Sequence, residues 1–241
     1  TTVEGGQVTE EEIAQARRDL DERSFRQEYY ATFEEYANRI YYAFDPGRNI
    51  REYTKPTPGI LHIGLDFNVG QMSASVFAQE GNLIYAIDEI SLHSSNTTEV
   101  VEEIHQRYPK TKIFVYPDPS GSARKTSAAS GTTDHTILAN AGFVVKSPHS
   151  HNPVRDGINA VNAKLQSADG TATFFVDPRC RKIIESLEKH TYKEGSNGIP
   201  DKDSGYDHFS DSIRYYIDYC FPVRRNTDPQ TTTPQRWGHK I

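Results

Sequence analysis

The stretch "LHIGLDFNVG", residues 61–70, decides the fold. Leu61, Ile63, Leu65, Phe67 and Val69 alternate along it, which predicts one apolar face of a buried β-strand. His62, Gly64, Asp66 and Asn68 make the other face. That face has little bulk, so the backbone there is approachable and the Asp66 carboxylate is expected to point into open space. An uncompensated buried carboxylate is costly, so Asp66 needs a partner, a proton or a metal ion.

Working outward, two further strands are read at roughly 72–79 and 83–91, divided by turns at Gly70 and at Glu80, Gly81 and Asn82. These three make an antiparallel meander. An amphipathic helix follows at 97–108, then a strand in "KIFVYPDPSG" (112–121) that ends at Asp118. Beyond it the pattern reads helix at 132–141, extended chain at 143–147 and helix at 153–167. A strand at 172–177, a helix at 179–190, a loop of turn formers at 194–205 and a last helix at 206–221 complete the core. This order predicts an α/β fold with a mixed sheet of five or more strands flanked by helices. It is the ribonuclease H-like arrangement, although several α/β folds begin the same way.

Residues 9–44 read as one helix opened by a capping box of Thr9 and Glu12, with aromatics crowding its second half. The Pro- and Gly-rich connector "DPGRNIREYTKPTPG" (45–59) predicts a domain boundary. The expected division is a helical region over 1–59, the sheet domain over 60–223 and a disordered tail over 224–241.

The length of 241 residues suffices for one domain with a sizeable core plus appendages. No run of about 18 apolar residues predicts a membrane span, and no signal peptide is visible. A polar start at Thr1 suggests a fragment rather than a natural beginning. Two cysteines, Cys180 and Cys220, offer neither a disulfide framework nor a zinc cluster and fit a reducing cytoplasm. A net charge of −6 argues against coating nucleic acid by bulk attraction. The charge is uneven, however: residues 61–110 carry 7 acids against 2 bases, and residues 111–200 carry 8 against 11. A local basic surface is therefore compatible with the sequence.

Asp66 and Asp118 fall side by side at one sheet edge if their strands are parallel neighbours. Asp118 before Pro119 is also an ordinary turn former. On the last helix, Phe209, Ile213, Tyr216, Ile217 and Cys220 form an apolar stripe. Asp207, His208, Asp211 and Tyr215 share an adjoining face. Asp207 suits the positive end of the helix dipole without further role. Asp211 is harder to explain, since like charges a turn apart repel unless a cation or a base intervenes. Three acids from separate elements make a hard, oxygen-rich set suited to Mg²⁺ or Mn²⁺ and not to zinc. Two such ions about 3.5–4 Å apart activate a water and stabilise the leaving oxygen of a phosphodiester.

The ordered set "GLDFNVGQMSASV", "VYPDPSGSARK" and "DHFSDSIRYY" resembles the nuclease domain of tailed-phage large terminase subunits, within the ribonuclease H-like superfamily. Residues 17–45 resemble the segment by which such proteins leave their ATPase domain. The resemblance implies a divalent-metal-dependent endonuclease that cuts concatemeric viral DNA during genome packaging, in the host cytoplasm. It implies Asp66, Asp118 and Asp211 as metal ligands. His208 matches a position where some members carry a site histidine, and a partly exposed helix histidine is the equal alternative. Portal protein and small terminase subunit are the partners implied for the full-length protein, with double-stranded DNA as substrate and no membrane. No G-x-x-x-x-G-K-[ST] run is present, since "GSARKTS" (121–127) lacks the glycine before lysine. ATP hydrolysis is therefore not expected.

Arg124 and Lys125, in a polar loop after Asp118, are candidate phosphate contacts, with Lys146, Arg155 and Lys164 as candidates for the same surface. His149 and His151 read as loop histidines, because no cysteine pair matches them as zinc ligands. Two other readings stand beside the nuclease: a non-catalytic module docking the portal or another packaging subunit, and an actin-like ATPase fold.

Overall fold

A computed structural model describes residues 8–30, 39–68, 70–123, 132–148, 152–196 and 198–223. Three strands form the predicted meander: β1 (Ile60–Asp66), β2 (Gln71–Glu80) and β3 (Leu83–His93), paired antiparallel in sequence order. The remaining strands are β4 (Lys112–Pro117), β5 (Val144–Val145) and β6 (Phe174–Val176), each parallel to its neighbour. The six-stranded sheet has the order β5-β4-β1-β2-β3-β6, which places β1 and β4 together near its centre. A mixed sheet flanked by helices, as the alternation of elements predicts, is what forms.

Chain order of the helices is α1 (Glu10–Asp19), α2 (Glu22–Tyr30), α3 (Pro46–Asn49), α4 (Thr97–Arg107), α5 (Asp134–Asn140), α6 (Val154–Leu165), α7 (Arg181–Lys189) and α8 (Asp207–Cys220). Two apolar clusters cover the two faces of the sheet. One holds Phe77, Phe174 and Val176 against α6, α7 and α8, through Ile158, Val161, Ile183, Ile213 and Tyr216. The other holds Leu61, Ile63, Leu65 and Val115 against α4 and α5, through Val100, Ile104 and Leu138. The apolar face of β1 thus packs beneath α4 and α5, while the face carrying Gly64 and Asp66 lies beneath α8.

The N-terminal region differs from the single helix expected over 9–44. The Thr9–Glu12 capping box forms, but α1 ends as Leu20 turns extended. Asp21 then starts a new helix by accepting N–H bonds from Arg23 at 3.1 Å and Ser24 at 3.2 Å. An aspartate that caps the following turn outcompetes helix continuation there. Residues 31–38 lie outside the described residues. Ile40, Tyr41, Ala43 and Phe44 join the α6–α8 core cluster, and Asp45 caps α3 by accepting from Arg48 at 2.9 Å. The connector also runs along β6, where Arg51 N–H meets the Val176 carbonyl at 2.9 Å. The expected tail over 224–241 lies outside the described residues, as do His149 and His151.

Candidate active site

Parallel pairing of β1 and β4 sets Leu65 opposite Pro117, and the Asp118 N–H donates to the Leu65 carbonyl at 2.9 Å. Asp66 and Asp118 therefore end neighbouring parallel strands at their carboxyl ends, the edge where open α/β sheets place their ligands. Asp118 also acts as the turn former its Pro neighbour suggests: Oδ1 accepts the Ser120 N–H at 2.8 Å and opens a short 3-10 turn over Pro119–Ser122. The His135 ring nitrogen Nε2 lies 3.0 Å from the Asp118 carbonyl oxygen and fixes that turn against α5.

Gly64 explains why α8 reaches this edge. A Cβ there would stand 1.8 Å from the Ser212 carbonyl oxygen, so only glycine admits the helix backbone. Ser75 on β2 and Ser212 pair their hydroxyls at 2.6 Å, and the Tyr216 ring stacks on Phe77 at 4.6 Å. The space expected beside β1 is thus filled by a helix rather than open. Ser210 is tied down as well: Tyr41 donates to its carbonyl at 3.1 Å, and His190 Nδ1 lies 2.8 Å from its hydroxyl.

This docking sets His208 over Asp66, with Nδ1 3.1 Å from Asp66 Oδ2. Asp66 is buried at 7% exposure. Burial raises its pKa above the ordinary carboxylate value, the His208 bond opposes that, and the charges of Asp211 and Asp118 add to the rise. His208 is raised in turn, chiefly by its bond to Asp66. Tyr215 is pushed up by burial, then by the charges of Asp211, Asp118 and Asp66.

Asp211 has partners of its own. Its Oδ1 accepts from Arg214 Nη2 at 2.9 Å and Nε at 3.2 Å, while Lys202 Nζ stands 3.9 Å from Oδ2. Asp207 is buried, and its Oδ1 has no hydrogen-bond partner; His208 Nε2 stands 3.9 Å from it. Asp207, Asp211, Arg214, Lys202 and His190 line one cavity of about 370 Å³. The sequence reading missed Arg214 and Lys202. The signal for Arg214 was present, because an acid three residues before an arginine on one helix is a standard pair.

Arg124 and Lys125 lie outside the described residues. Lys146 follows β5 and donates its N–H to the Val115 carbonyl at 2.8 Å, so it sits at the same sheet end as Asp118. Arg155 and Lys164 reach elsewhere: Arg155 donates to Gln27 on α2 at 2.8 Å, and the Lys164 amine lies 4.7 Å from the centre of the Phe221 ring.

The donor set fits a hard divalent cation in chemistry: it is made of carboxylate oxygens, and Asp66 is buried with the charges of Asp211 and Asp118 nearby and His208 as its hydrogen-bond partner. Among the described residues, no three His, Cys, Asp or Glu side chains stand close enough together to enclose an ion as they are placed.

Sheet order and the acids at the ends of β1 and β4 define a ribonuclease H-like α/β domain. Known proteins narrow the class. The chain is 23% identical over 228 residues to the terminase large subunit of Escherichia phage T5, covering 86% of this chain and 47% of that protein. It thus spans about half the length of that curated relative. No family model matches. In fold it is similar to the large terminase of a thermophilic bacteriophage (TM-score 0.69, 18% identity, 90% of this chain and 54% of that one). It is also similar to the P22 large terminase nuclease domain (TM-score 0.59, 18% identity, 77% and 94%). A third neighbour is the large terminase nuclease of another thermophilic phage, G20c, with bound magnesium (TM-score 0.53, 13% identity, 76% and 97%). The resemblance to large terminase nuclease domains, first carried by three short motifs, is borne out by sequence and by fold. No helix among the described residues is long and apolar enough to cross a membrane.

Proposed function

We propose that this chain is a divalent-metal-dependent endonuclease that cuts concatemeric viral DNA during genome packaging. The observation that carries the reading is the placement of Asp66 and Asp118 at adjacent strand ends, with α8, which carries Asp211, seated on β1 through Gly64 and its His208 bonded to Asp66. Asp66, Asp118 and Asp211 would hold Mg²⁺ or Mn²⁺, with two ions expected. The bound cation would supply charge stabilisation at the phosphodiester and a more acidic water. His208 orients Asp66 through its Nδ1 contact, and the buried helix face around Ser212 and Tyr216 keeps that geometry rigid. Arg124, Lys125 and Lys146 would contact phosphates, which makes binding salt-sensitive and tolerant of sequence.

In the full-length protein, residues 1–59 would link this domain to an ATPase domain, 60–223 form the nuclease and 224–241 the tail. Portal and small terminase subunit are the partners this arrangement suits, in the host cytoplasm. A plasmid-nicking assay across divalent cations tests the activity. Cleavage with Mn²⁺ or Mg²⁺ that disappears in Asp66→Ala, Asp118→Ala and Asp211→Ala is the expected result, and intact plasmid after long incubation would overturn the proposal.

One observation favours the docking-module reading: Asp211 already has Arg214 and Lys202 as partners. Crystals soaked in Mn²⁺ separate the two readings. Anomalous peaks among Asp66, Asp118 and Asp211 support the nuclease, whereas no peaks together with no cleavage support docking.

A further inference from the structure

Arg214 is an arginine with little freedom. It is 9% exposed, and its stem lies on Gly157 of α6, where a Cβ would stand 2.7 Å from Arg214 Cγ and 2.9 Å from Cδ. Its guanidinium carbon lies 4.8 Å from the centre of the Tyr215 ring. Both donors described for it, Nε and Nη2, are spent on one atom, Asp211 Oδ1. The other oxygen, Oδ2, faces Lys202 at 3.9 Å, and that lysine side chain is 71% exposed. A contact so long and so wet holds little. The arrangement therefore immobilises one carboxylate oxygen and leaves its twin exchangeable.

We infer that Arg214, seated on Gly157, is a positioning residue that fixes Asp211 by Oδ1 and so reserves Oδ2 for a divalent cation. The inference rests on the proposed role of Asp211 as a ligand. Outer partners that lock a ligating carboxylate add to metal affinity by restricting its rotation before the ion arrives. A lysine cannot replace the arginine here, because it lacks the rigid fork that delivers two N–H groups from one seat. Gly157 belongs to the same device. A methyl group at that position displaces the arginine stem, its next neighbour being Asp218 Cβ at 3.4 Å.

The experiment measures Mn²⁺ binding to the metal-free chain by calorimetry, alongside the Mn²⁺ dependence of plasmid nicking. The variants are Arg214→Gln, Arg214→Lys, Gly157→Ala and Asp211→Asn. Both Arg214 variants should bind Mn²⁺ about 10–100-fold more weakly, and part of their lost nicking should return as Mn²⁺ is raised. Gly157→Ala should weaken binding in the wild-type background and change nothing further in Arg214→Gln, since neighbours acting through one contact are not additive. A merely structural arginine would lower the melting temperature and leave the Mn²⁺ midpoint where it was. If Arg214→Gln does not fold by circular dichroism, Arg214→Lys and Gly157→Ala carry the same comparison. Wild-type Mn²⁺ affinity in the Arg214 variants, with binding lost in Asp211→Asn, overturns this inference alone. A wild-type chain that neither binds Mn²⁺ nor nicks DNA overturns the nuclease reading and this inference with it.

Discussion

The carbonyl oxygen of Ser212 occupies the place where a side chain on residue 64 would begin, 1.8 Å from an ideal Cβ. This approach seats α8 on β1 and brings His208 within 3.1 Å of Asp66. Replacing Gly64 by alanine forces the helix away or twists the strand. Overpacking of side chains in a well-filled core costs about 1–3 kcal/mol, and a clash with backbone lies at or above that limit. Gly64→Ala should therefore lose about 3 kcal/mol or more in urea denaturation, together with any nuclease activity. A wild-type denaturation midpoint would show that α8 is not held where we place it.

Asp66→Asn should separate stability from activity. Burial and the neighbouring acids disfavour the charged form of Asp66, so the metal-free variant should melt at the wild-type temperature or above it. Nicking should fall more than about 100-fold, since loss of an outer partner alone costs about 10–100-fold. Saturating Mn²⁺ should raise the melting temperature of the wild type and fail to raise that of the variant, because a ligand stabilises only the state that binds it. Equal Mn²⁺ stabilisation of both proteins in differential scanning fluorimetry would remove Asp66 from the ligand set.

His190 predicts a stability that depends on pH. Burial holds its pKa below the ordinary histidine value, with its ring nitrogens 2.8 Å from Ser210 Oγ and from the Asp201 carbonyl. The sign follows from linkage. As pH falls through about 6.5, the unfolded chain takes up a proton that the folded chain resists, so the unfolded state gains. The stability contribution is complete above that pH and is lost on acidification toward the folded pKa. Urea midpoints between about pH 7.5 and pH 5.5 should fall more steeply for the wild type than for His190→Gln. Parallel pH profiles would place this histidine's titration outside the folding equilibrium.

Arg124 and Lys125 carry a prediction from sequence alone. The double alanine variant should weaken binding to double-stranded DNA alike across sequences. Its plot of log affinity against log salt should flatten by about 0.9 for each phosphate contact removed. An unchanged salt slope in fluorescence anisotropy would take both residues out of the DNA-binding surface.

Local chemistry carries as far as local chemistry reaches. Period-two alternation in "LHIGLD" (61–66), the turn at Gly81 and the cap at Thr9 depend on neighbours within a few residues, and each of these forms in the structure. The element order and the position of Asp118 at a strand end follow from the same signals, whereas the alternation runs past Asp66 and only the structure ends β1 there. The break between α1 and α2 is invisible in the sequence because Asp21, which caps α2, is as compatible with a helix surface as with a break. The crowded aromatics that include Tyr41 and Phe44 indicate a segment that packs on something but not on what, because the Ser210 carbonyl that Tyr41 reaches lies 169 residues along the chain.

The sequence by itself determined the succession of strands and helices along the chain and placed Asp118 at a strand end. Those features arise from backbone periodicity and turn formation among residues close in the chain. Tertiary structure alone decided that the bare face at Gly64 receives a helix, that Gly157 leaves room for the Arg214 stem and that Arg214 takes one oxygen of Asp211 and leaves the other. Each of these depends on surfaces from distant segments meeting at van der Waals distance, and such packing has no period in the sequence to betray it.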